Sequence, residues 1–396
     1  MKKAKKEKIL HICSLDIFAK AFLLPEINHY IAKGFQVEIA CKKYFNNGEL
    51  SKNGYIVNEI NIDRKINIIS NIRTFIQLFS LIRIKKYDIV HTHNHVIGII
   101  GRIAAKLAGV PRIVHSPHGF YFHENMKPSI YWFYHTLERF AALFTNIIFS
   151  DSLEDLEMAR RTHLTSKEKL LYLGGGIDLK IFNGNKLDKK LKEKIQLEIG
   201  LDNKAFPVIG YCGRLNYEKG LNELIEAFKN VLEYFPHSQL LFIAIKTPGE
   251  RDNFHGRLKK IINESELYNN VIITFRGDVP NLLSLLDIFT LPSYREGLPR
   301  SVMESMAMRI PVVGTNIRGT REEIQNGETG LLVPPRDSKA LAQALLLLSK
   351  NGDMRKKLSA NGRLFVEKNF RLDLMLDRFE KGYNKLILMN KNRQLK

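Results

Sequence analysis

The chain has 396 residues, 44% of them hydrophobic and 26% charged, which is ordinary for globular proteins and too long for one small core. It contains no uninterrupted apolar run of the roughly 18 residues that a membrane-spanning helix needs, and its three widely spaced cysteines argue against a disulfide framework. The formal net charge of +20 favours anionic partners such as nucleic acid, phospholipid headgroups or phosphorylated metabolites.

Strand-like and helix-like segments alternate through the first half of the chain. The predicted strands are 8–13, 35–41, 88–92, 112–115 and 146–149, and the predicted helices are 18–33, 65–86, 96–108 and 127–144. His11 and Asp16 interrupt the first apolar segment, so we expect a strand of a cytoplasmic protein there rather than a signal peptide.

The alternation breaks at Gly174–Gly176 and resumes at Pro207, so 175–206 is predicted to be an interdomain linker. Beyond it, the strands 208–212, 240–245 and 271–275 are predicted, with a helix at 221–231. Alternation of this length predicts parallel sheets that are covered on both faces. We therefore predict two doubly wound, Rossmann-like α/β domains, 1–174 and 207–371, that face a central cleft. The last helix, 372–396, is predicted to cross back onto the first domain.

The loop after the first strand of the second domain runs from Gly213 to Gly220 and carries Arg214 and Lys219. In parallel sheets, ligands bind beyond the carboxyl ends of the strands, where loops meet helix N-termini. Two cations at such a place suit a diphosphate, which arginine binds with paired hydrogen bonds and lysine binds as a point charge. A glycine-bounded surface loop with two solvated cations is the alternative.

A second segment, 291–299, leaves a strand and enters a helix near Pro299. Glu296 lies in this loop and Glu304 in the second turn of the helix, so both carboxylates can reach a polyol ligand. The backbone N–H groups of Gly297 and Leu298 are candidates for binding phosphate oxygens. Helix capping by Glu296 is the alternative, but Glu304 lies in a mostly apolar helix, where a carboxylate usually has a partner.

Taken together, these motifs resemble the retaining glycosyltransferases of family 4, which have the two-Rossmann GT-B fold. The resemblance covers nearly the whole chain and rests on several spaced elements in the expected order. These are Gly213-Arg214-Leu215, Lys219-Gly220, Glu296 with Glu304 as an E-x7-E pair, Pro311-Val312-Val313, Gly319, Glu322, Gly327 and Thr329–Val333.

The resemblance implies a role for each matched residue. Arg214 and Lys219 would neutralise the donor diphosphate, Glu304 would bind the ribose, and Glu296 would bind the donor sugar. His118, in Ser116-Pro117-His118-Gly119, matches a histidine that lies near the donor sugar. Such enzymes need no metal and no cofactor besides the nucleotide-sugar donor, because the cations stabilise the leaving group. The sequence contains no Asp-x-Asp triplet.

The loop at Asp16–Ile17 resembles a subgroup that builds bacterial surface or capsular polysaccharide. We expect transfer from a nucleotide diphosphate sugar, specifically a UDP-sugar, to a hydroxyl of a lipid-linked glycan, and the resemblance implies retention of configuration. We expect peripheral contact with the anionic inner face of the cell membrane. The chain departs from the family pattern in its first loop, which lacks paired glycines, and at Arg309, where many members have glycine.

Four alternatives stay open. His91, His93 and His95 alternate and could ligate zinc, although a polar strand end that lines the cleft is the favoured interpretation. A nucleotide-sugar epimerase with a similar fold would also bind a UDP-sugar. A basic nucleic-acid-binding protein would explain the charge, but the dispersed cations argue against nucleic acid as a partner. The aromatic residues within 127–144 fit core packing or membrane contact, with core packing favoured.

Overall fold

The computed structural model describes residues 6–44, 48–62, 67–124, 126–185, 188–245 and 254–394. The chain divides into two compact units, Met1–Gly174 with Met375–Lys396, and Gly175–Leu374. Each unit has a parallel β-sheet with connecting helices, which confirms the predicted Rossmann-like architecture. No helix among the described residues is both long enough and apolar enough to cross a membrane.

The first unit contains a seven-stranded sheet with the order β3-β2-β1-β4-β5-β6-β7. Its strands are β1 Lys8–Leu15, β2 Gln36–Lys42, β3 Ile56–Glu59, β4 Ile89–His93, β5 Arg112–Ser116, β6 Ile147–Ser150 and β7 Leu170–Tyr172. Its helices are α1 Asp16–Phe18, α2 Leu24–Ala32, α3 Glu49–Lys52, α4 Ile68–Lys85, α5 Val96–Leu107, α6 Pro128–Ala142 and α7 Leu153–Arg161. A π-helical turn, Ala19–Leu23, joins α1 to α2.

Helix α5 lies close against the sheet because glycine occupies its contact positions. A Cβ atom at Gly98 would lie 2.6 Å from the His115 ring, and one at Gly101 would lie 2.9 Å from Thr92. The same helix carries the buried Arg102, whose guanidinium donates to both carboxylate oxygens of Glu138 on α6, at 2.7 and 3.1 Å. This ion pair joins the two helices, and removing one partner would leave an uncompensated buried charge.

The second unit contains a six-stranded sheet with the order β10-β9-β8-β11-β12-β13. Its strands are β8 Val208–Gly213, β9 Gln239–Ala244, β10 Val271–Thr274, β11 Ile288–Leu291, β12 Val312–Thr315 and β13 Leu331–Val333. Its helices are α8 Lys189–Ile199, α9 Leu221–Tyr234, α10 Phe254–Glu264, α11 Val279–Leu283, α12 Arg300–Ala307, α13 Thr320–Glu323, α14 Ser338–Lys350 and α15 Gly352–Asn369.

The described residues of the stretch predicted to be a linker, 175–185 and 188–206, belong to the second unit. Ile177 is fully buried and its backbone N–H donates to the Phe370 carbonyl at 2.8 Å. Ile195 and Leu201, on and after α8, belong to the same hydrophobic core. The stretch packs there because its apolar residues can be buried, although the lysines around them make the sequence look solvated.

The last helix is α16 Leu372–Gln394. Its residues up to Leu374 belong to the second unit, and its residues from Met375 onward belong to the first. Its Phe379, Tyr383 and Leu386 are buried in a core that also contains Ile9 of β1 and Tyr30 of α2. Residues 395–396 of the predicted final helix lie outside the described residues.

Candidate active site

In the second unit, the strand order reverses between β8 and β11, which are direct neighbours. At such a switch point the loops after the two strands diverge and leave a crevice beyond their carboxyl ends. These two loops are the segments that the sequence singled out, 213–220 and 291–299. The topology therefore places both predicted motifs side by side.

Glycine allows the loops at this switch point to approach one another at the backbone. Gly220 has φ +64°, and a Cβ atom there would lie 2.0 Å from the Pro292 carbonyl oxygen. The loop after β12 approaches in the same way, because a Cβ at Gly319, with φ +84°, would lie 2.0 Å from the Gly297 carbonyl oxygen. The Tyr294 N–H also donates to the Glu218 carbonyl at 2.8 Å. Three loops thus form one rigid group.

The two loops contribute a largely buried ion pair. Lys219 Nζ lies 2.5 Å from Glu296 Oε1, with about 13% and 12% of the two side chains exposed. Ser293 Oγ donates to the same carboxylate oxygen at 2.6 Å. The structure therefore brings together the predicted phosphate-binding lysine and the predicted sugar-binding carboxylate. Arg214, the other predicted cation, is exposed just after β8.

Glu304 lies on α12, directly after the second loop, as the sequence predicted. Its carboxylate lies 3.4 Å from the Arg300 guanidinium on the preceding turn. Burial raises the pKa of Glu304 to about 7, although the charge of Arg300 acts in the opposite direction. Gly297 and Leu298 precede the N-terminus of this helix, which is the position expected for backbone groups that bind an anion.

A further carboxylic acid, Glu323, joins this group and was not identified from the sequence. Glu323 lies on α13, after Gly319, and is fully buried. Neither of its carboxylate oxygens has a hydrogen-bond partner among the described residues. Burial raises its pKa well above the usual range, and the charges of Glu296, Glu322 and Glu304 act in the same direction. The adjacent pair Glu322–Glu323 after a glycine was the available signal, but only burial distinguishes the two residues.

His118 belongs to the first unit, in the loop that follows β5. Its backbone has φ +53°, which is unfavourable for a residue with a side chain and is often found at functional sites. Its Nδ1 lies 2.9 Å from Asp151 Oδ2, and its Nε2 lies 3.0 Å from His93 Nδ1. Both ring nitrogens are therefore engaged within the first unit, and the ring packs against Phe18 in a T-shaped arrangement.

The strand histidines are not the cleft-lining groups that the sequence suggested. His91 and His93 are fully buried, and they pack against the ring of His11 from the neighbouring strand β1. His95 lies beyond the end of β4, at the start of α5, and its ring contacts Tyr121. Burial lowers the pKa of His11 to about 3 and those of His91 and His93 well below the usual value.

Two family profiles match the chain, one within each of its two units. The family profile "Glycosyl transferases group 1" matches residues 192–365, and "Glycosyl transferase 4-like" matches residues 11–152. The chain is 30% identical to the UDP-Gal:alpha-D-GlcNAc-diphosphoundecaprenol alpha-1,3-galactosyltransferase of Escherichia coli over 82% of each chain. It is 27% identical to the capsular polysaccharide biosynthesis glycosyltransferase CapM of Staphylococcus aureus, over 83% of this chain and 85% of CapM.

Solved structures resemble the whole fold. A glycosyltransferase from Rickettsia africae superposes with a TM-score of 0.79 at 23% identity, over 97% of this chain and 99% of its own. The Anabaena protein HepE in complex with UDP-glucose gives a TM-score of 0.79 at 18% identity, over 96% of this chain and 99% of its own. At these identities the likeness establishes the fold.

Proposed function

The chain belongs to the group 1 glycosyltransferases, and on this premise we propose that it transfers a sugar from a UDP-sugar to a hydroxyl of a lipid-linked glycan. The observation that carries the proposal is the group of Lys219, Glu296, Glu304 and Glu323 at the β8–β11 switch point. The relatives from E. coli and S. aureus support the choice of substrates, since their names specify a UDP-galactose donor with an undecaprenol-linked acceptor, and capsular polysaccharide synthesis.

In this proposal the donor diphosphate binds Arg214, Lys219 and the N–H groups of Gly297 and Leu298. The Lys219 ammonium exchanges its contact with Glu296 for a phosphate oxygen, because a doubly charged diphosphate is the stronger partner. Glu296 is then available to accept hydrogen bonds from the donor sugar. The two cations stabilise the negative charge that develops on the departing UDP, so the transfer requires no metal at the diphosphate.

Glu304 and Glu323 have different roles in this proposal. Glu304 binds the ribose hydroxyls, which donate to a carboxylate more strongly than to a neutral acceptor. Burial and its acidic neighbours raise the pKa of Glu323 and so favour its neutral form, which would place no further charge beside the donor. His118 acts on the sugar side, and the transfer retains the anomeric configuration, as the family resemblance implies.

A thermal-shift panel with UDP, GDP and ADP tests this proposal on the wild type, Arg214→Ala and Glu304→Ala. UDP at a concentration far above its Kd should raise the melting temperature of the wild type by about 3 °C or more, since it binds only the folded state. Both variants should lose most of that shift. Lys229→Ala is the control, because Lys229 pairs with Glu226 on the surface of α9. A wild type that responds to no nucleotide would remove the basis of the proposal.

Peripheral membrane contact is the second part of the proposal. Helix α6 carries Trp132, Phe133 and Phe140, each with more than half of its side chain exposed. The cations Lys127 and Arg139 are exposed on the same segment. An exposed aromatic surface with flanking cations suits the boundary of an anionic bilayer, where a lipid-linked acceptor resides. The sequence interpretation that favoured core packing does not account for these exposed rings.

A further inference from the structure

We infer that the first unit binds one zinc ion between His11, Glu26 and His93, with His91 as the fourth ligand. The four residues come from β1, α2 and β4, and each offers a ligand atom within 4.8 Å of the others. All four residues belong to the first unit, whereas the switch-point carboxylates belong to the second. The sequence offered a different set as the disfavoured alternative, His91, His93 and His95, of which the structure places His95 elsewhere, against Tyr121.

Burial is the first argument. His11, His91 and His93 are fully buried, and Glu26 is 4% exposed. Glu26 Oε1 has no hydrogen-bond partner among the described residues, and no lysine or arginine described there lies within ion-pair distance of it. A buried carboxylate oxygen that has neither a cation nor a hydrogen bond is unfavourable. A metal ion would supply both the missing charge and the missing partner.

Distances are the second argument. His11 Nδ1 lies 3.0 Å from His93 Nε2, and Glu26 Oε1 lies 3.5 Å and 3.8 Å from these two nitrogens. The point equidistant from the three atoms lies about 2.0 Å from each, which matches Zn–N and Zn–O bond lengths. Imidazole nitrogens with one carboxylate oxygen are ordinary ligands for zinc.

His91 completes a four-coordinate site. Its ring centroid lies 4.2 Å from that of His93. Its ligand atom lies within 4.8 Å of the other three, so a shift of at most about 1.5 Å brings it to the spacing of about 3.4 Å that a tetrahedral site requires. Tyr383 Oη and Ser116 Oγ contact its two ring nitrogens at 3.1 and 2.8 Å, so the nitrogen that does not bind the metal keeps a partner.

The groups behind the ligands fit a metal as well. When His93 Nε2 presents its lone pair to zinc, Nδ1 carries the proton and donates it to His118 Nε2, 3.0 Å away. His118 Nδ1 then donates to Asp151 at 2.9 Å. Ligating histidines in zinc sites are commonly held in this way by a hydrogen-bonded group on the opposite nitrogen. The ion therefore also determines which nitrogen of His118 is protonated.

Metal analysis of the full chain tests the inference. The protein is purified through an affinity tag without histidine and without chelators, and zinc is measured by inductively coupled plasma mass spectrometry. We expect about one zinc per chain in the wild type and less than about a fifth of that in His11→Gln and Glu26→Gln. His135→Gln is the matched control, because His135 is a buried histidine of the same unit that contacts Thr162 instead.

Cobalt provides a second measurement that does not depend on the variants folding. The wild type is unfolded in urea with chelator and refolded with CoCl₂, and tetrahedral coordination should produce visible absorption bands that stoichiometric zinc abolishes. Substoichiometric zinc in the wild type, both as purified and after refolding with ZnCl₂, together with the absence of cobalt bands, would overturn the inference. Equal zinc content in the wild type, His11→Gln and Glu26→Gln would overturn it too.

Discussion

At the scale of single residues, charge and burial act against each other in the candidate active site. Glu304 and Glu323 are both largely buried carboxylic acids whose pKa values lie above the usual range. Such groups make the folded state less stable than apolar residues would, and they are typical of sites where function sets the choice of residue. Lys219 and Glu296, in contrast, compensate one another directly.

Glu304→Gln should therefore stabilise the protein at alkaline pH. The folded-state pKa of about 7 lies above the unfolded value of 4.5, so the folded state binds more protons between these values. The contribution of Glu304 to the free energy of unfolding is thus lost as the pH rises through 7. The variant should be more stable than the wild type by about 1–3 kcal/mol at pH 8, with little difference below pH 4.5.

Urea unfolding of the wild type and Glu304→Gln at pH 4.5 and pH 8 measures this difference. Glu226→Gln, on the exposed surface of α9, should be neutral at both values. Equal stability of Glu304→Gln and the wild type at pH 8 would show that Arg300 already compensates the charge.

At the scale of elements, three loops of the second unit are held together by backbone contacts that only glycine permits. Gly220 and Gly319 combine positive φ angles with carbonyl oxygens directly at the position of a Cβ atom. Arg309, which stands where many family members have glycine, also adopts a positive φ of 60°. Arg309 therefore keeps the backbone conformation that a glycine would adopt there, and its side chain packs near Gly184.

Replacing Gly220 with alanine should destabilise the protein much more than replacing Gly327 does. Both glycines have positive φ, +64° and +77°, so both variants incur the cost of a left-handed conformation, about 1 kcal/mol. Only Gly220→Ala places a methyl group against the Pro292 carbonyl, since nothing lies within 4 Å of a Cβ at Gly327. We expect about 2 kcal/mol or more of additional loss for Gly220→Ala.

Chemical denaturation measures this difference, and the thermal shift with UDP reports its effect on the site. Gly220→Ala should weaken the response to UDP, whereas Gly327→Ala should preserve it. Equal losses of stability in the two variants would mean that the loops carrying Gly220 and Pro292 can move apart at little cost in free energy. That result would contradict the close backbone packing described at the switch point.

At the scale of the whole molecule, the net charge of +20 remains larger than the candidate active site requires. A single diphosphate needs only a few cations, and the excess is distributed along the chain. An anionic membrane surface is a partner that uses such a distributed charge, and each lysine or arginine near the surface contributes about 1 kcal/mol. The exposed aromatic residues of α6 add an apolar component.

The protein should therefore sediment with vesicles that contain about 30% anionic lipid, and binding should fall as NaCl is raised from about 0.1 to 0.5 M. Replacing Trp132 and Phe133 with alanine should weaken binding several-fold, because the rings enter the headgroup region. Tyr268→Ala is the control, since Tyr268 is an exposed aromatic residue of the second unit. Binding that ignores lipid charge and salt would contradict the proposed membrane contact.

The sequence by itself determined the two Rossmann-like units and the loops that carry Arg214, Lys219, Glu296 and Glu304. These features are local, because hydrophobic periodicity identifies strands and helices, and glycines mark the loops between them. The rule that parallel strands present their loops at one edge placed the loops of Lys219 and Glu296 at the same edge, and the structure adds the direct contact between these two residues, 77 positions apart.

Only the tertiary structure decided the burial of Glu323, the packing of Ile177, Ile195 and Leu201, and the group formed by His11, Glu26 and His93. His11 and His93 lie 82 residues apart on neighbouring strands, and Glu26 reaches them from a helix. No local period relates these three positions, and the alternation of His91, His93 and His95 along the strand gives no sign of His11 or Glu26. Which polar side chains share a buried space depends on strand order and helix packing, and these are set by long-range contacts.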